Sequence, residues 1–296
     1  MRFLVTGGSQ PATFTVYSGL VLGVSAVSSA AILIRLADAP ALSIAAYRLL
    51  LASVIVVPIG LATDWTKLRA LTCRQWGLVV VSAACLAAHF AFWITSLEHT
   101  SVASSVIIVT ANPILVAIGS KLLLRESASP AVMVGIGTAL FGGIIITIGD
   151  WGMGERRLYG DFLAFLGAIA VAGYYIAGRN LRERLSLFGY IAPVYGVAAV
   201  ILLVVVFVTG TAMTGFSLQT YGYLALIGVV PQLLGHSSLN WSLGYLPATL
   251  VSTAVMAEPV GATLLAWLVL DETPPLATLA GGSLVMVGVY IALRRR

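Results

Sequence analysis

Three polar side chains recur at every fourth position in a stretch that is otherwise apolar. They are Gln232, His236 and Asn240, and they follow Pro231. On an α-helix this spacing places all three side chains on one face. Amide and imidazole groups in such a stripe can line a polar cavity or hydrogen-bond to a neighbouring helix. The spacing predicts a polar face here, and both uses of it remain open.

Two charged side chains also stand inside apolar stretches, Arg48 and Glu258. Glu258 could bond to a neighbouring helix and compensate for the backbone groups that Pro259 leaves unpaired, or it could take up and release a proton. Arg48 keeps its charge. It must therefore pair with Glu258 or with helix-end carbonyls, present its guanidinium to an anionic group such as a carboxylate, or extend to the surface.

The remaining candidates are fewer and weaker. Asn112 precedes Pro113, His89 lies four residues before Trp93, and Tyr174 lies in a later apolar stretch. A metal site on His89 and His236 would need a third ligand that the sequence does not supply. The chain shows no pattern of a catalytic nucleophile, a phosphate-binding loop or paired catalytic carboxylates. We expect no enzyme activity, no metal and no cofactor.

The elements that carry these residues are predicted to be membrane-spanning helices. The chain is 59% hydrophobic and 9% charged, with a mean hydropathy of +1.02, which is outside the usual soluble range. Continuous apolar runs of about 20 residues are the length a helix needs to cross a bilayer. Ten such runs are predicted, approximately at 14–36, 43–63, 76–97, 101–124, 130–149, 159–178, 187–209, 219–243, 248–270 and 275–293.

An internal repeat organises these runs. Shifting the sequence by about 146 positions places Asn112-Pro113 on Glu258-Pro259. The same shift aligns Glu126 with Glu272, and two glycines with two glycines. The predicted organisation is a tail at 1–13, a first repeat at 14–149, a linker at 150–158, a second repeat at 159–293 and a basic tail at 294–296.

The distribution of lysine and arginine predicts the orientation. With a cytoplasmic N-terminus, twelve of the sixteen lie on the inner side, three on the outer side and Arg48 within a span. Both termini are therefore expected in the cytoplasm, and this topology accounts for the net charge of +5 without a nucleic-acid partner. Because five spans per repeat is an odd number, the second repeat enters the membrane upside down.

The two repeat endings carry a family resemblance. The chain resembles EamA-like members of the drug/metabolite transporter superfamily through Asn-Pro with Leu-Leu-Leu-Arg-Glu at 112–126, Glu-Pro with Leu-Val-Leu-Asp-Glu at 258–272, and Arg48 in the second span. The resemblance covers about residues 14 to 293. It implies a ten-helix bundle with a central cavity, and export of amino acids, other metabolites or drugs from a prokaryotic cytoplasm.

The expected function is secondary transport. Inverted repeats with polar residues near the bilayer midplane are typical of alternating-access transporters, with Pro113 and Pro259 as helix breaks. We expect a multi-pass protein of the plasma or inner membrane whose partners are lipid and a small-molecule substrate. Proton coupling through Glu258 stays open, as does the oligomeric state. The alternatives are a non-transporting membrane scaffold or partner protein, and a transporter of this fold working in uptake or exchange.

Overall fold

The chain folds into helices alone over the residues that the computed structural model describes, which are 11–148, 156–271 and 273–294. The first half contains α1 (Thr13–Val27), α2 (Ala30–Leu36), α3 (Ala41–Arg69), α4 (Cys73–Ser96), α5 (Val102–Thr110), α6 (Pro113–Gly119), a π-helical turn (Ser120–Leu124) and α7 (Pro130–Ile148). The second half contains α8 (Arg156–Arg182), α9 (Leu187–Thr209), α10 (Leu218–Ile227), a π-helical segment (Gly228–His236), α11 (Ser237–Ser242), α12 (Ala248–Val255), α13 (Glu258–Leu270) and α14 (Leu276–Arg294).

Many of these helices are long and apolar enough to cross a membrane. Within the described residues, eight helical stretches meet both requirements, and Pro130–Ile146 is a shorter apolar helix. Helical structure lies over each of the ten predicted apolar runs. The second run, predicted at 43–63, is shorter than the helix α3, which spans Ala41–Arg69. Most of the difference is at the C-terminal end, where α3 continues through Asp64 and Lys67 beyond the apolar sequence.

The predicted boundaries between repeats fall partly outside the described residues. Most of the predicted tail at 1–13 and most of the predicted linker at 150–158 lie there, as do residues 295 and 296. The last residues of the linker, from Arg156 onward, belong to α8.

Local capping explains where several helices begin. Thr72 precedes α4 and exchanges hydrogen bonds with Gln75, which satisfies two donors that a helix start leaves unpaired. The hydroxyl of Ser186 accepts a hydrogen bond from the Gly189 N–H at the start of α9. At the other end of α9, Gly210 adopts a left-handed conformation (φ 66°) that favours glycine.

Four of the predicted spans are interrupted rather than continuous. The breaks lie between α1 and α2, between α5 and α6, along α10 to α11, and between α12 and α13. Pro113 and Pro259 occupy the first turn of α6 and of α13, where a missing N–H costs little. Such breaks leave backbone polar groups inside an apolar bundle. In a membrane protein they are tolerated where they face protein or a polar cavity.

The helices α7 and α14 form a close antiparallel pair. A Cβ atom on Gly135 would lie 2.6 Å from the carbonyl oxygen of Gly288, and one on Gly142 would lie 2.5 Å from that of Gly281. Only glycine permits this approach. Under the sequence repeat, Gly281 is the copy of Gly135 and Gly288 is the copy of Gly142. The contact of Gly135 with Gly288 and the contact of Gly142 with Gly281 are therefore equivalent under the repeat.

Candidate functional site

A small cavity lies where the interrupted helices meet. Its volume is about 30 Å³, enough for roughly one or two water molecules. Most of the polar residues singled out from the sequence meet here. The lining comprises Val27, Ala30, Arg48, His89, Trp93, Val109, Thr110, Asn112, Val171, Tyr175, His236, Leu239, Val255 and Glu258. We call it the central cavity.

Arg48 is fully buried in α3 and is held on two sides. Its Nε donates a hydrogen bond of 2.7 Å to Oε1 of Gln232, and its guanidinium carbon lies 4.1 Å from the centroid of the Phe90 ring. Both Nη atoms lack a hydrogen-bond partner among the described residues. A buried guanidinium with an unused edge carries a large desolvation cost, which an anionic ligand would offset.

Glu258 lies across the same cavity and is also buried. It interacts electrostatically with Arg48, but within the described part of the chain no ion pair joins the two. The direct Arg48–Glu258 bond considered from the sequence is therefore not formed, and Arg48 donates to Gln232 instead. The cavity is thus lined by one guanidinium and one carboxyl group that are not in direct contact.

Asn112 occupies the break between α5 and α6. Its side-chain Nδ2 donates to the carbonyl oxygen of Val109 at 2.8 Å, so it closes the last turn of α5. Its Oδ1 atom has no partner among the described residues. The nearby hydroxyl of Thr110 donates back to Val106 at 2.7 Å. This break is therefore stabilised locally, and one acceptor is left over at the cavity.

Aromatic rings form one wall of the central cavity. His89 and Trp93 stack with their ring centroids 5.8 Å apart and their planes 1° from parallel. His89 Nδ1 lies 3.1 Å from the carbonyl oxygen of Gly167. Because a carbonyl only accepts, Nδ1 carries the proton and His89 is fixed by this bond. The Trp93 indole N–H has no partner among the described residues and is a free donor at the cavity.

The polar stripe of the sequence divides into two parts. Gln232 and His236 lie in the π-helical segment rather than in the predicted α-helix, because Pro231 cannot supply an N–H to a regular α-helix. Asn240, in α11, lies outside the lining of the central cavity and donates from Nδ2 to the hydroxyls of Tyr174 (2.6 Å) and Tyr195 (3.1 Å). Tyr174 is thus part of a buried hydrogen-bond network beside the cavity.

One contributor to the site has no signal in the sequence. Phe90 supplies the ring beneath Arg48. Tyr175, which the sequence indicated only as one of several rings that could line a cavity or pack, does line it. Phe90 is one of many apolar residues in α4, and nothing in the sequence distinguishes it from the others. Helical periodicity alone could not distinguish a ring that faces a guanidinium from one that faces another helix.

A larger cavity of about 570 Å³ lies toward one end of the bundle. We call it the vestibule. Its walls come from the start of α1, the loop before α7, the end of α8 and the start of α12. The lining comprises Pro11, Thr13, Val16, Tyr17, Glu126, Ser127, Ala128, Ser129, Val132, Arg179, Gly244, Tyr245, Leu246, Pro247, Thr249 and Leu250.

The vestibule and the central cavity lie along the same helices. Helix α8 contributes Tyr175 to the central cavity and Arg179 to the vestibule, a separation of about 6 Å along the helix axis. Helix α12 contributes Val255 to the central cavity and Leu250 to the vestibule, about 7.5 Å apart. The fully buried side chain of Leu243 lies in the chain between Leu239 of the central cavity and Gly244 of the vestibule.

An ion pair between Arg179 and Glu126 stabilises one wall of the vestibule. Arg179 is buried at the end of α8 and contacts Oε1 of Glu126 with its Nη2 (2.9 Å) and its Nε (3.0 Å). Its Nη1 donates to the carbonyl oxygen of Leu243 at 3.1 Å. The bond joins the loop before α7, from the first half of the chain, to the second half.

The opposite end of the bundle is covered by the loop between α9 and α10. The hydroxyl of Ser43 donates to the carbonyl oxygen of Ala212 at 2.6 Å, and that of Tyr47 to Met213 at 2.8 Å. Both donors lie in α3 within two turns of Arg48. The loop therefore closes this end directly above the central cavity.

Comparison with known proteins decides the family. A sequence profile of the EamA-like transporter family matches residues 13–148 and again residues 158–294. The chain belongs to this family. Together with its apolar helices, this makes the protein a multi-pass membrane transporter of small molecules.

Several curated relatives carry transporter names. An uncharacterised transporter of Archaeoglobus fulgidus is 26% identical, with 64% of this chain and 67% of that protein aligned. The pseudopaline exporter of Pseudomonas aeruginosa is 26% identical over 74% of this chain and 75% of that protein. A riboflavin transporter of Brucella anthropi is 30% identical, but the match covers 49% of each chain.

The fold is also found among solved structures. A crystal structure described only as that of a protein superposes with a TM-score of 0.76 over 94% of this chain and 97% of the other. The two sequences are 20% identical. This similarity establishes the fold and says nothing about the substrate.

Proposed function

We propose that the protein is a secondary transporter that exports amino acids or related small solutes by alternating access. The observation that carries the proposal is the arrangement of the two cavities. A small cavity lined by Arg48 and Glu258 lies at the helix breaks, a vestibule lies beside it toward one end, and a hydrogen-bonded loop covers the other end. This is the arrangement of a transporter with its site accessible from one side at a time.

The proposed architecture is ten spans in two inverted five-helix repeats. The twofold profile match supports the duplication, and the antiparallel contact of Gly135 with Gly288 and of Gly142 with Gly281 supports the inversion. The proposed repeats are residues 14–149 and 159–293. Rocking of one repeat against the other would open the central cavity alternately to the two sides.

The central cavity favours a ligand that carries both charges. Arg48 offers donors to an anionic group, and Glu258 offers an acceptor to a cationic one. An amino acid satisfies both. At about 30 Å³ the cavity is far smaller than the roughly 300–1,000 Å³ of a typical ligand-binding pocket, so the repeats must separate before the ligand binds.

The predicted orientation and the name of one relative support export as the proposed direction. The lysine and arginine bias assigns the N-terminus and the loops at 125–129 and 243–247 to the cytoplasm, and these segments border the vestibule. The vestibule would then admit solute from the cytoplasm in a cell membrane protein. The name of the Pseudomonas relative, an exporter, supports the same direction.

Transport by purified protein in liposomes tests the proposal. We expect radiolabelled amino acids to exchange across the membrane in counterflow, with at least one of them transported faster than in protein-free liposomes. Vesicles of known protein orientation separate export from uptake. A purified, monodisperse protein that exchanges no amino acid or related solute, with or without a pH gradient, would overturn the proposal and favour a non-transporting membrane role.

A further inference from the structure

The way in which Arg48 is held identifies the chemical group that the central cavity is built to bind. Phe90 covers one face of the guanidinium at 4.1 Å, and Gln232 takes the Nε hydrogen. The edge that remains carries Nη1 and Nη2, which have no partner among the described residues. Two parallel N–H donors on this edge match the two oxygens of a carboxylate.

Gln232 holds the arginine without neutralising it. A glutamine oxygen accepts the Nε hydrogen, whereas a carboxylate at this position would form an ion pair and cancel the charge. The Gln232 Nε2 atom is itself buried and lacks a partner within the described residues. Together with the Trp93 indole N–H, the side chains around Arg48 offer unused donors. Unused donors require an acceptor, and an oxyanion is the acceptor that fits a guanidinium.

The π-helical segment is what brings Gln232 to Arg48. The segment Gly228–His236 packs against α3, and a Cβ atom on Gly228 would lie 3.0 Å from Leu51 Cβ. Glycine at this position permits the close approach. Pro231, one residue before Gln232, cannot continue the regular α-helical bonding. Single π-helical turns are frequent at functional sites.

We propose that Gln232 is a positioning residue that fixes Arg48 so that its Nη edge binds the carboxylate of the substrate. The inference rests on the proposed transport function and deepens it. It assigns the recognition of the carboxylate to a two-residue unit, Arg48 with Gln232, in which Gln232 sets the geometry and preserves the charge.

The test compares amino acids with the corresponding amino-acid amides, which keep the ammonium group but lack the carboxylate. Purified protein is first screened by thermal shift against a set of amino acids, and the acid that stabilises it most is paired with its amide. Both compounds are then used as competitors in counterflow. In the wild type we expect the amide to compete at least about tenfold more weakly, because it loses charge-assisted hydrogen bonds.

Gln232→Glu keeps the side-chain size and the acceptor but places a carboxylate that pairs with Arg48 and cancels its charge. We expect the apparent KM for the acid to rise at least about tenfold and the discrimination between acid and amide to fall toward unity. Gln232→Met removes the acceptor and keeps the positive charge, so it should lose part of the discrimination. Gln219→Glu is the matched control, because Gln219 is exposed and bonds only to Tyr223 among the described residues.

The possible outcomes separate the inference from the function on which it rests. If the wild type transports the acid, and if Gln232→Glu and Gln232→Met, both still monodisperse, keep the wild-type ratio of KM values for acid and amide, the role assigned to Gln232 is wrong while transport stands. If the acid and the amide compete equally well for transport by the wild type, the assignment of a carboxylate as the ligand of Arg48 is wrong. If no compound in the set is bound or transported, both proposals fail.

Discussion

The two copies of the repeat interrupt one helix at the same place and carry different side chains there. In the first copy Asn112 lies in the break, immediately before α6. In the second copy Glu258 is the first residue of α13, immediately after the break. Proline follows in both. The bend is therefore common to both copies, and the carboxyl group is present in the second copy only.

The same contrast holds around the central cavity. Under the shift of about 146 positions, Arg48 corresponds to Val194, Gln232 to Leu86 and His236 to Phe90. Residues that bond or line the cavity in one copy are thus apolar in the other. In the proposed architecture, an inverted pair of similar units can exchange conformations at little cost in free energy. A single asymmetric ligand, by contrast, needs charges that are not repeated.

The unshared breaks follow this division. The first copy is interrupted between α1 and α2 at Ser28 and Ser29, whose hydroxyls bond to carbonyls of the preceding turn. Their counterparts, Tyr174 and Tyr175, lie in the continuous helix α8. The counterpart of the π-helical segment Gly228–His236, residues 82–90, lies within the regular helix α4 of the first copy. The two copies therefore have similar helix ends but differ in helix geometry at the positions that border the central cavity.

The largest expected effect comes from replacing Arg48, the cationic residue that has an apolar counterpart in the second copy. Arg48→Met should lower transport at least about 100-fold, because two charge-assisted hydrogen bonds to the substrate are lost. Arg74→Met makes the same chemical change on an exposed arginine and should leave the rate within about twofold of the wild type. Counterflow in liposomes measures both. Equal rates for the two variants would contradict the assignment of Arg48 to the site.

Making the two breaks chemically alike tests the role of the unrepeated acid. Glu258→Gln should abolish any dependence of transport on a pH gradient and weaken binding of the amino group about tenfold. The measurement is uptake into vesicles with and without an imposed gradient. Asn112→Gln, at the equivalent break, should leave the gradient dependence intact. A gradient response that survives in Glu258→Gln would exclude this carboxylate as the coupling group.

The repeated glycine contact should respond equally in both copies. Gly142→Ala and Gly288→Ala, at equivalent positions of the two copies, each place a Cβ atom against a carbonyl of the partner helix, and each should cost about 1–3 kcal/mol of stability. Gly137→Ala is the control, because a Cβ atom there meets nothing within 4 Å. Thermal unfolding in detergent compares the three. Strongly unequal losses from Gly142→Ala and Gly288→Ala would contradict the symmetric packing of α7 and α14.

The smallest expected effect concerns two left-handed residues at equivalent helix ends. Arg125 has φ 58° and Asp271 has φ 54°. Because a β-branched side chain is strained at positive φ, Arg125→Val and Asp271→Val should each cost roughly 1 kcal/mol. The corresponding glycine variants should lie within about 0.5 kcal/mol of the wild type. Thermal unfolding again provides the comparison, and a large difference between the two copies would indicate different local structures.

The sequence by itself determined the apolar helices, their approximate bounds and the duplication. These follow from composition and period, because a bilayer of fixed thickness requires long apolar runs and a duplicated chain preserves its spacing. It also indicated which polar residues stand inside those runs. Arg48, Asn112 and Glu258 could be named without coordinates because their burial in lipid would be costly.

Only the tertiary structure decided how these residues are used. It brought Gln232 to Arg48 across 184 positions of sequence and left Glu258 without an ion pair to it. It also placed Asn240 in the tyrosine network outside the central cavity. The physical reason is that a hydrogen-bond partner depends on distances of a few tenths of an ångström between helices. Helix packing and a π-helical segment set those distances, and no one-dimensional pattern records them.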